Sequence, residues 1–230
     1  MEEIINFDKL EKSIGYEFND KELLKLALTH SSYSNELKIN KIGNYERLEF
    51  LGDAVLELLS SQFFYHEYPQ MNEGQLTRLR SSMVCEQALA FCARQIGLPE
   101  YIYLGKGEEN TGGRNRDSII SDVFEAVLGA IYLDGGFDKA NEFVVKFVLT
   151  DLENKQLFYD AKTILQELIQ KEGKVLQYVL VKESGPDHDK HFVVNAVVNN
   201  EILGTGEGKS KKQAEQQAAY EYLTKNKEVR

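Results

Sequence analysis

Glu46-Arg47-Leu48-Glu49-Phe50-Leu51-Gly52-Asp53-Ala54-Val55-Leu56-Glu57-Leu58-Leu59 is the stretch on which the reading of this chain turns. At 3.6 residues per turn, Glu46, Glu49, Asp53 and Glu57 fall on one narrow stripe of a helix. Leu48, Leu51, Ala54, Val55, Leu58 and Leu59 then make the core face, with Phe50 and Leu56 flanking the acids. No Lys or Arg stands three or four residues from Glu49 or Asp53 to neutralise it. A second stretch, Ser118-Ile119-Ile120-Ser121-Asp122-Val123-Phe124-Glu125-Ala126-Val127-Leu128-Gly129-Ala130, repeats the design. Asp122 and Glu125 stand one turn apart among apolar neighbours, and Gly129 leaves room beside Glu125. A single acidic helix face is ordinarily a solvated surface. Two such faces with apolar flanks and packing glycines point instead to a site. Carboxylates held among apolar side chains repel one another unless something positive joins them. A hard divalent cation with oxygen ligands, Mg2+ above all, answers that need.

Outward from these helices, the chain divides by period and by charge. Helical spacing dominates from Phe7 to about Asp151, and predicts helices over 21–30, 44–66, 73–84, 85–96 and 138–149. The glycine-rich run 104–113 reads as a loop, and Leu133-Asp134-Gly135-Gly136 ends the second acidic helix. A polar stretch around 150–160 reads as a linker. Beyond it come a helix over 161–171, strand-like segments at 175–182, 191–198 and 201–205, and a last helix from Ser210. The expectation is an all-α domain over residues 1–151, a linker at 152–159, and a small α+β domain of order α-β-β-β-α over 160–228. Residues 1–154 carry a net charge of −11 and residues 155–230 a net charge of +1. Charge alone would therefore not mark the first part as a nucleic-acid binder.

The remaining composition narrows the class. No apolar run reaches membrane-spanning length, and Met1-Glu2-Glu3 lacks the basic start of a signal peptide, so a cytoplasmic protein is expected. The two cysteines, Cys85 and Cys92, have no metal-type spacing and read as free thiols in a reducing compartment. In the small domain, Lys209, Lys211 and Lys212 crowd the start of the final helix. Cations there add to the positive end of the helix dipole and suit a phosphate. Ser210 and Gln213 have capping-box spacing. Gln166, on the first helix of that domain, and His188, in the Gly185-Pro186-Asp187-His188 turn, are further polar candidates.

The two acidic stretches, together with Asp134-Gly135-Gly136, resemble the signature of the ribonuclease III family. The tail, with Leu165-Gln166-Glu167 and Gly206-Glu207-Gly208-Lys209-Ser210-Lys211-Lys212-Gln213, resembles a double-stranded-RNA-binding domain. The resemblance spans nearly the whole chain in order and spacing. It implies an endonuclease that hydrolyses double-stranded RNA to 5′-phosphate and 3′-hydroxyl ends with short 3′ overhangs, in processing of precursor ribosomal and other structured RNAs. It makes Glu49, Asp122 and Glu125 Mg2+ ligands, with Mn2+ a substitute, and Asp53 and Glu125 the catalytic acids. Glu46 and Glu73 become auxiliary acids, Arg114 and Arg116 contacts to the RNA backbone, and Gln166, His188, Lys209, Ser210, Lys211 and Lys212 the RNA-binding set. It also implies a homodimer through the first domain. Two Mg2+ ions roughly 4 Å apart would activate water and neutralise the leaving oxygen. The contrasting reading, a catalytically inactive RNA-binding regulator, predicts damage in the acidic set, and Glu49, Asp53, Asp122 and Glu125 are all present.

Overall fold

Two long helices cross at the centre of the first part of the chain, and their glycines set how closely. The computed structural model describes residues 7–38, 43–152, 160–186 and 190–227, in two units, Met1–Thr150 and Asp151–Arg230. The first unit contains α1 (Asp8–Ile14), α2 (Lys21–Ala27), α3 (Ser31–Glu36), α4 (Glu46–Glu67), α5 (Glu73–Met83), α6 (Glu86–Gln95), α7 (Lys106–Asn110) and α8 (Asp117–Phe147). A β-carbon added to Gly52 of α4 would lie 1.8 Å from the Glu125 carbonyl oxygen, and one on Gly129 of α8 would lie 2.2 Å from that of Leu48. The helices therefore meet backbone to backbone. Leu48, Val55, Leu56 and Leu59 close over this contact from α4, and Ile120, Val123, Phe124, Val127 and Ile131 from α8, all buried. Each contributes about 1.5–3 kcal/mol of burial.

This crossing corrects the helical face expected from side chains alone. The buried arc of α4 runs through Leu48, Gly52, Val55, Leu56 and Leu59, centred on a residue with no side chain to advertise it. Leu56 is fully buried, whereas Ala54 is exposed. Phe50 is 79% exposed and Leu58 57% exposed, so together with Tyr65 they form an apolar stripe on the outside.

Two local expectations also shift. The helix expected over 21–30 stops at Ala27, because the next backbone pairs with Tyr103: His30 N–H donates to the Tyr103 carbonyl, and Tyr103 N–H to that of Leu28. The run 104–113 is not a plain loop, since α7 forms with Glu36 accepting from Lys106 N–H and with Glu108 and Glu109 in its first turn. The second acidic helix ends where Leu133-Asp134-Gly135-Gly136 predicts: the span α8 joins two helices across a kink at Gly136, whose backbone is non-helical (φ 80, ψ −174). Asp134, just before that break, accepts from the Tyr16 hydroxyl, from Asn19 N–H and Nδ2, and from Asp20 N–H, tying the α1–α2 connection to α8. Cys85 and Cys92 are free thiols, as expected.

The second unit holds α9 (Ala161–Lys171), β1 (Leu176–Ser184), β2 (His191–Val198), β3 (Glu201–Gly208) and α10 (Lys211–Lys227). The sheet is antiparallel in the order β1-β2-β3. Asn199 and Asn200, at φ 50 and 68, form the β2–β3 turn, a conformation asparagine tolerates. Leu165, Ile169, Leu176, Ala196, Val198, Ala218, Ala219 and Leu223 make the core. Gly206 lets α10 lie directly on β3, since a β-carbon there would be 2.1 Å from the Ala214 carbonyl oxygen.

Candidate active site

The glycine crossing decides which acids meet. Gly52 sits between Glu49 and Asp53, and the backbone it touches is that of Glu125, so the acidic stripes of α4 and α8 are brought to one place. Glu49, Asp122 and Glu125 are half-buried, while Glu46 and Asp53 are exposed at the rim. Burial first, then the charges of Asp53, Asp122 and Glu49, push Glu125 up to about 8. Burial, then Asp122, Glu46 and Asp53, push Glu49 up to about 7. Burial likewise raises Asp122 above the usual carboxylate range, against the hydroxyls of Tyr45 and Ser121, which favour its ionised form. All three shifts record burial first, reinforced by neighbouring carboxylates, with no basic side chain among their causes.

Not every acid of the first stripe belongs to this cluster. Glu57 is paired with Arg80 at 3.0 Å, and Arg80 also donates to Ser61, so the stripe is neutralised at its far end. Glu73 opens α5 and accepts from Thr77 one turn on. It is Glu86, at the start of α6, whose charge is felt at Asp122. Glu86 and Tyr45 are residues that sequence reasoning missed. Neither lies in an acidic stripe, and their nearness to Asp122 arises only when α4, α6 and α8 pack together.

Arg114 and Arg116 are engaged within the chain. Arg114 holds Glu109 through Nε and Nη2 and donates to the Pro99 carbonyl, and Arg116 pairs with Glu108 at 2.7 Å. Contact with a phosphate would exchange one anion for another at each.

Donor chemistry suits a hard cation, since the half-buried groups offer only oxygen. Among the described residues, however, no three His, Cys, Asp or Glu side chains are gathered closely enough to hold a metal ion as they stand.

In the second unit, Ser210 accepts from Gln213 N–H at 3.2 Å, and Gln213 accepts from Lys209 N–H at 2.9 Å. The capping box is thus present in a shifted form, its return bond reaching one residue before the cap. Lys209, Lys211 and Lys212 are exposed around this helix start, with the Lys211 ammonium 5.9 Å from the Phe192 ring centroid. Gln166 is partly exposed on α9, and His188 lies outside the described residues.

The family profile described as ribonuclease-III-like matches residues 20–152, and that of the double-stranded RNA binding motif matches residues 161–226. A Ribonuclease 3 of Pelotomaculum thermopropionicum is 48% identical over 221 residues, covering 94% of this chain and 92% of its own length. That of Bacillus licheniformis is 46% identical over 222 residues, covering 95% and 89%. The solved nuclease domain of the Campylobacter jejuni enzyme is 43% identical, with a TM-score of 0.58, over 62% of this chain and 96% of that one. That structure was described for flexibility in a region involved in dimer formation.

Proposed function

The chain belongs to the ribonuclease III family, and on that premise we propose that it is an endoribonuclease of double-stranded RNA whose hydrolytic site is the α4–α8 acid cluster. One observation carries the assignment of the site: Glu49, Asp122 and Glu125, from two helices fixed by a glycine crossing, share a half-buried position where each is held away from ionisation. Glu49, Asp122 and Glu125 would hold Mg2+, or Mn2+ in its place. The bound cation would supply an activated water and neutralise charge at the leaving oxygen. Asp53, whose charge acts on Glu125, would serve with it as a catalytic acid, Glu125 also holding the ion. Glu46 and Glu86 add negative charge at the edge. The products would be 5′-phosphate and 3′-hydroxyl ends.

Substrate recognition falls to the second unit. Lys209, Ser210, Lys211 and Lys212 surround the positive end of α10 and suit a phosphate run, with Gln166 and His188 as polar contacts. Side chains cannot read the deep major groove of A-form RNA, so selection follows duplex shape and 2′-hydroxyls. The exposed stripe of Phe50, Leu58 and Tyr65 along α4 supports a homodimer through the first unit. One acid cluster per subunit then addresses each strand. Among the described residues no helix is long and apolar enough to cross a membrane, and free cysteines accord with a cytoplasmic setting.

The test is incubation with a long RNA duplex, with Mg2+ or EDTA, beside a DNA duplex of equal length. RNA cleavage only with Mg2+ is the expected result. Equal cleavage of DNA, or cleavage in EDTA, overturns the reading. An inactive regulator would leave RNA intact in both.

A further inference from the structure

We infer that Tyr45 is a positioning residue for Asp122, its hydroxyl holding one carboxylate oxygen so that the other is presented to the acid cluster. This rests on the reading of the α4–α8 cluster as the metal site. The Tyr45 hydroxyl lies 3.4 Å from Asp122 Oδ2, across the gap between the start of α4 and the body of α8. That is a long bond, but the residue that carries it is buried and anchored through its backbone. Its backbone N–H donates to the Thr29 carbonyl at 2.9 Å. Its carbonyl accepts from Leu48 and Glu49 N–H at 2.8 and 2.9 Å, which starts α4 itself. Asn44, buried just before it, caps the same turn by accepting from Glu46 N–H. The ring packs against His30 with centroids 5.6 Å apart, and only 4% of the residue is exposed.

The hydroxyl has therefore little freedom to move, whereas an aspartate on a helix can turn about two side-chain bonds. Toward a carboxylate, a phenol is a donor only, so the contact has one direction. Ser121, the buried neighbour of Asp122, spends its hydroxyl proton on the Ser118 carbonyl at 2.9 Å, which leaves Tyr45 as the donor to this carboxylate. With the Tyr45 contact in place, Asp122 is restricted before any ion arrives. Groups that orient a metal ligand in this way typically change metal affinity 10–100-fold when removed. Sequence spacing does not reveal the role, because Tyr45 and Asp122 are 77 positions apart and Tyr45 sits one residue before the acidic stripe.

The experiment compares the full chain with Tyr45→Phe, which keeps the ring and removes the oxygen. Mn2+ binding is followed by electron paramagnetic resonance without RNA, and Mg2+ is titrated in the cleavage assay. The expected result is about tenfold weaker Mn2+ binding, with a matching rise in the Mg2+ needed for half-maximal rate. The melting temperature of the metal-free chain should stay within about 2 °C, because the packing is retained. Asp122→Asn supplies the second arm: in that background Tyr45→Phe should have less than a twofold further effect on Mn2+ binding. Unchanged Mn2+ affinity in Tyr45→Phe, or an equal loss in both backgrounds, overturns the inference while leaving the metal site standing. A wild-type chain that binds no Mn2+ overturns the metal reading, and this inference with it.

Discussion

Replacing Glu125 by Gln should stabilise the metal-free protein at alkaline pH while destroying cleavage, and the two effects have one cause. Burial and the charges of Asp53, Asp122 and Glu49 push the Glu125 carboxyl from 4.5 to about 8. Its folded-state value lies above its unfolded one. The stabilising preference for the protonated form is thus complete below about 4.5 and is lost as pH rises through about 8. At 1.36 kcal/mol per unit the ceiling is ~5 kcal/mol. Solvent at the open side of the cluster and shared titration with Glu49 reduce this to about 1.5 kcal/mol. For a chain of this size that is about 3–6 °C in melting temperature. Thermal melts in EDTA should therefore show Glu125→Gln above wild type at pH 8, with the gap nearly closed at pH 5. Mg2+ at pH 8 should reverse the order, because only the wild-type site gains the binding energy of the ion. Duplex RNA should still bind to the variant while cleavage falls by several orders of magnitude. A variant that melts below wild type in EDTA at pH 8 would refute the reasoning, since Glu125 would then be compensated in the fold. Cleavage within tenfold of wild type would remove it from the site.

Other consequences are measurable with single changes. Lys211→Ala with Lys212→Ala should weaken binding about equally for unrelated duplexes and flatten the log–log salt dependence by roughly one to two units of slope, checked by filter binding across salt concentrations. Gly129→Ala places a methyl 2.2 Å from the Leu48 carbonyl oxygen. It should cost about 1–3 kcal/mol in denaturant unfolding and at least tenfold in cleavage rate, because the two acidic helices must part. Phe50→Asp with Leu58→Asp changes two exposed apolar residues, and should leave the fold intact by circular dichroism while sedimentation shows a monomer at micromolar concentration. A dimer there would place the interface elsewhere.

How much of this was legible in the chain depended on the kind of information each feature needs. The helical first part, the α-β-β-β-α order of the second and the membership of Glu49, Asp53, Asp122 and Glu125 in two stripes are local properties. Period and composition carry them, because backbone hydrogen bonding and side-chain spacing are set within a few residues. What was not local could not be read this way. The face of α4 that turns inward was decided at Gly52, where α8 comes to backbone contact, and this sent Leu56 inside and left Phe50 and Leu58 outside. Glu57 kept its place on the stripe, yet its charge is compensated by Arg80, a residue of α5. Arg114 and Arg116 found Glu109 and Glu108 in a helix the glycine-rich run had concealed. Glu86 and Tyr45 reached Asp122 from other elements altogether. The sequence by itself determined which residues carry charge and on which local face they stand. Tertiary packing alone decided which charges meet and which are cancelled, because burial and charge–charge interactions depend on distances through space that chain spacing does not encode.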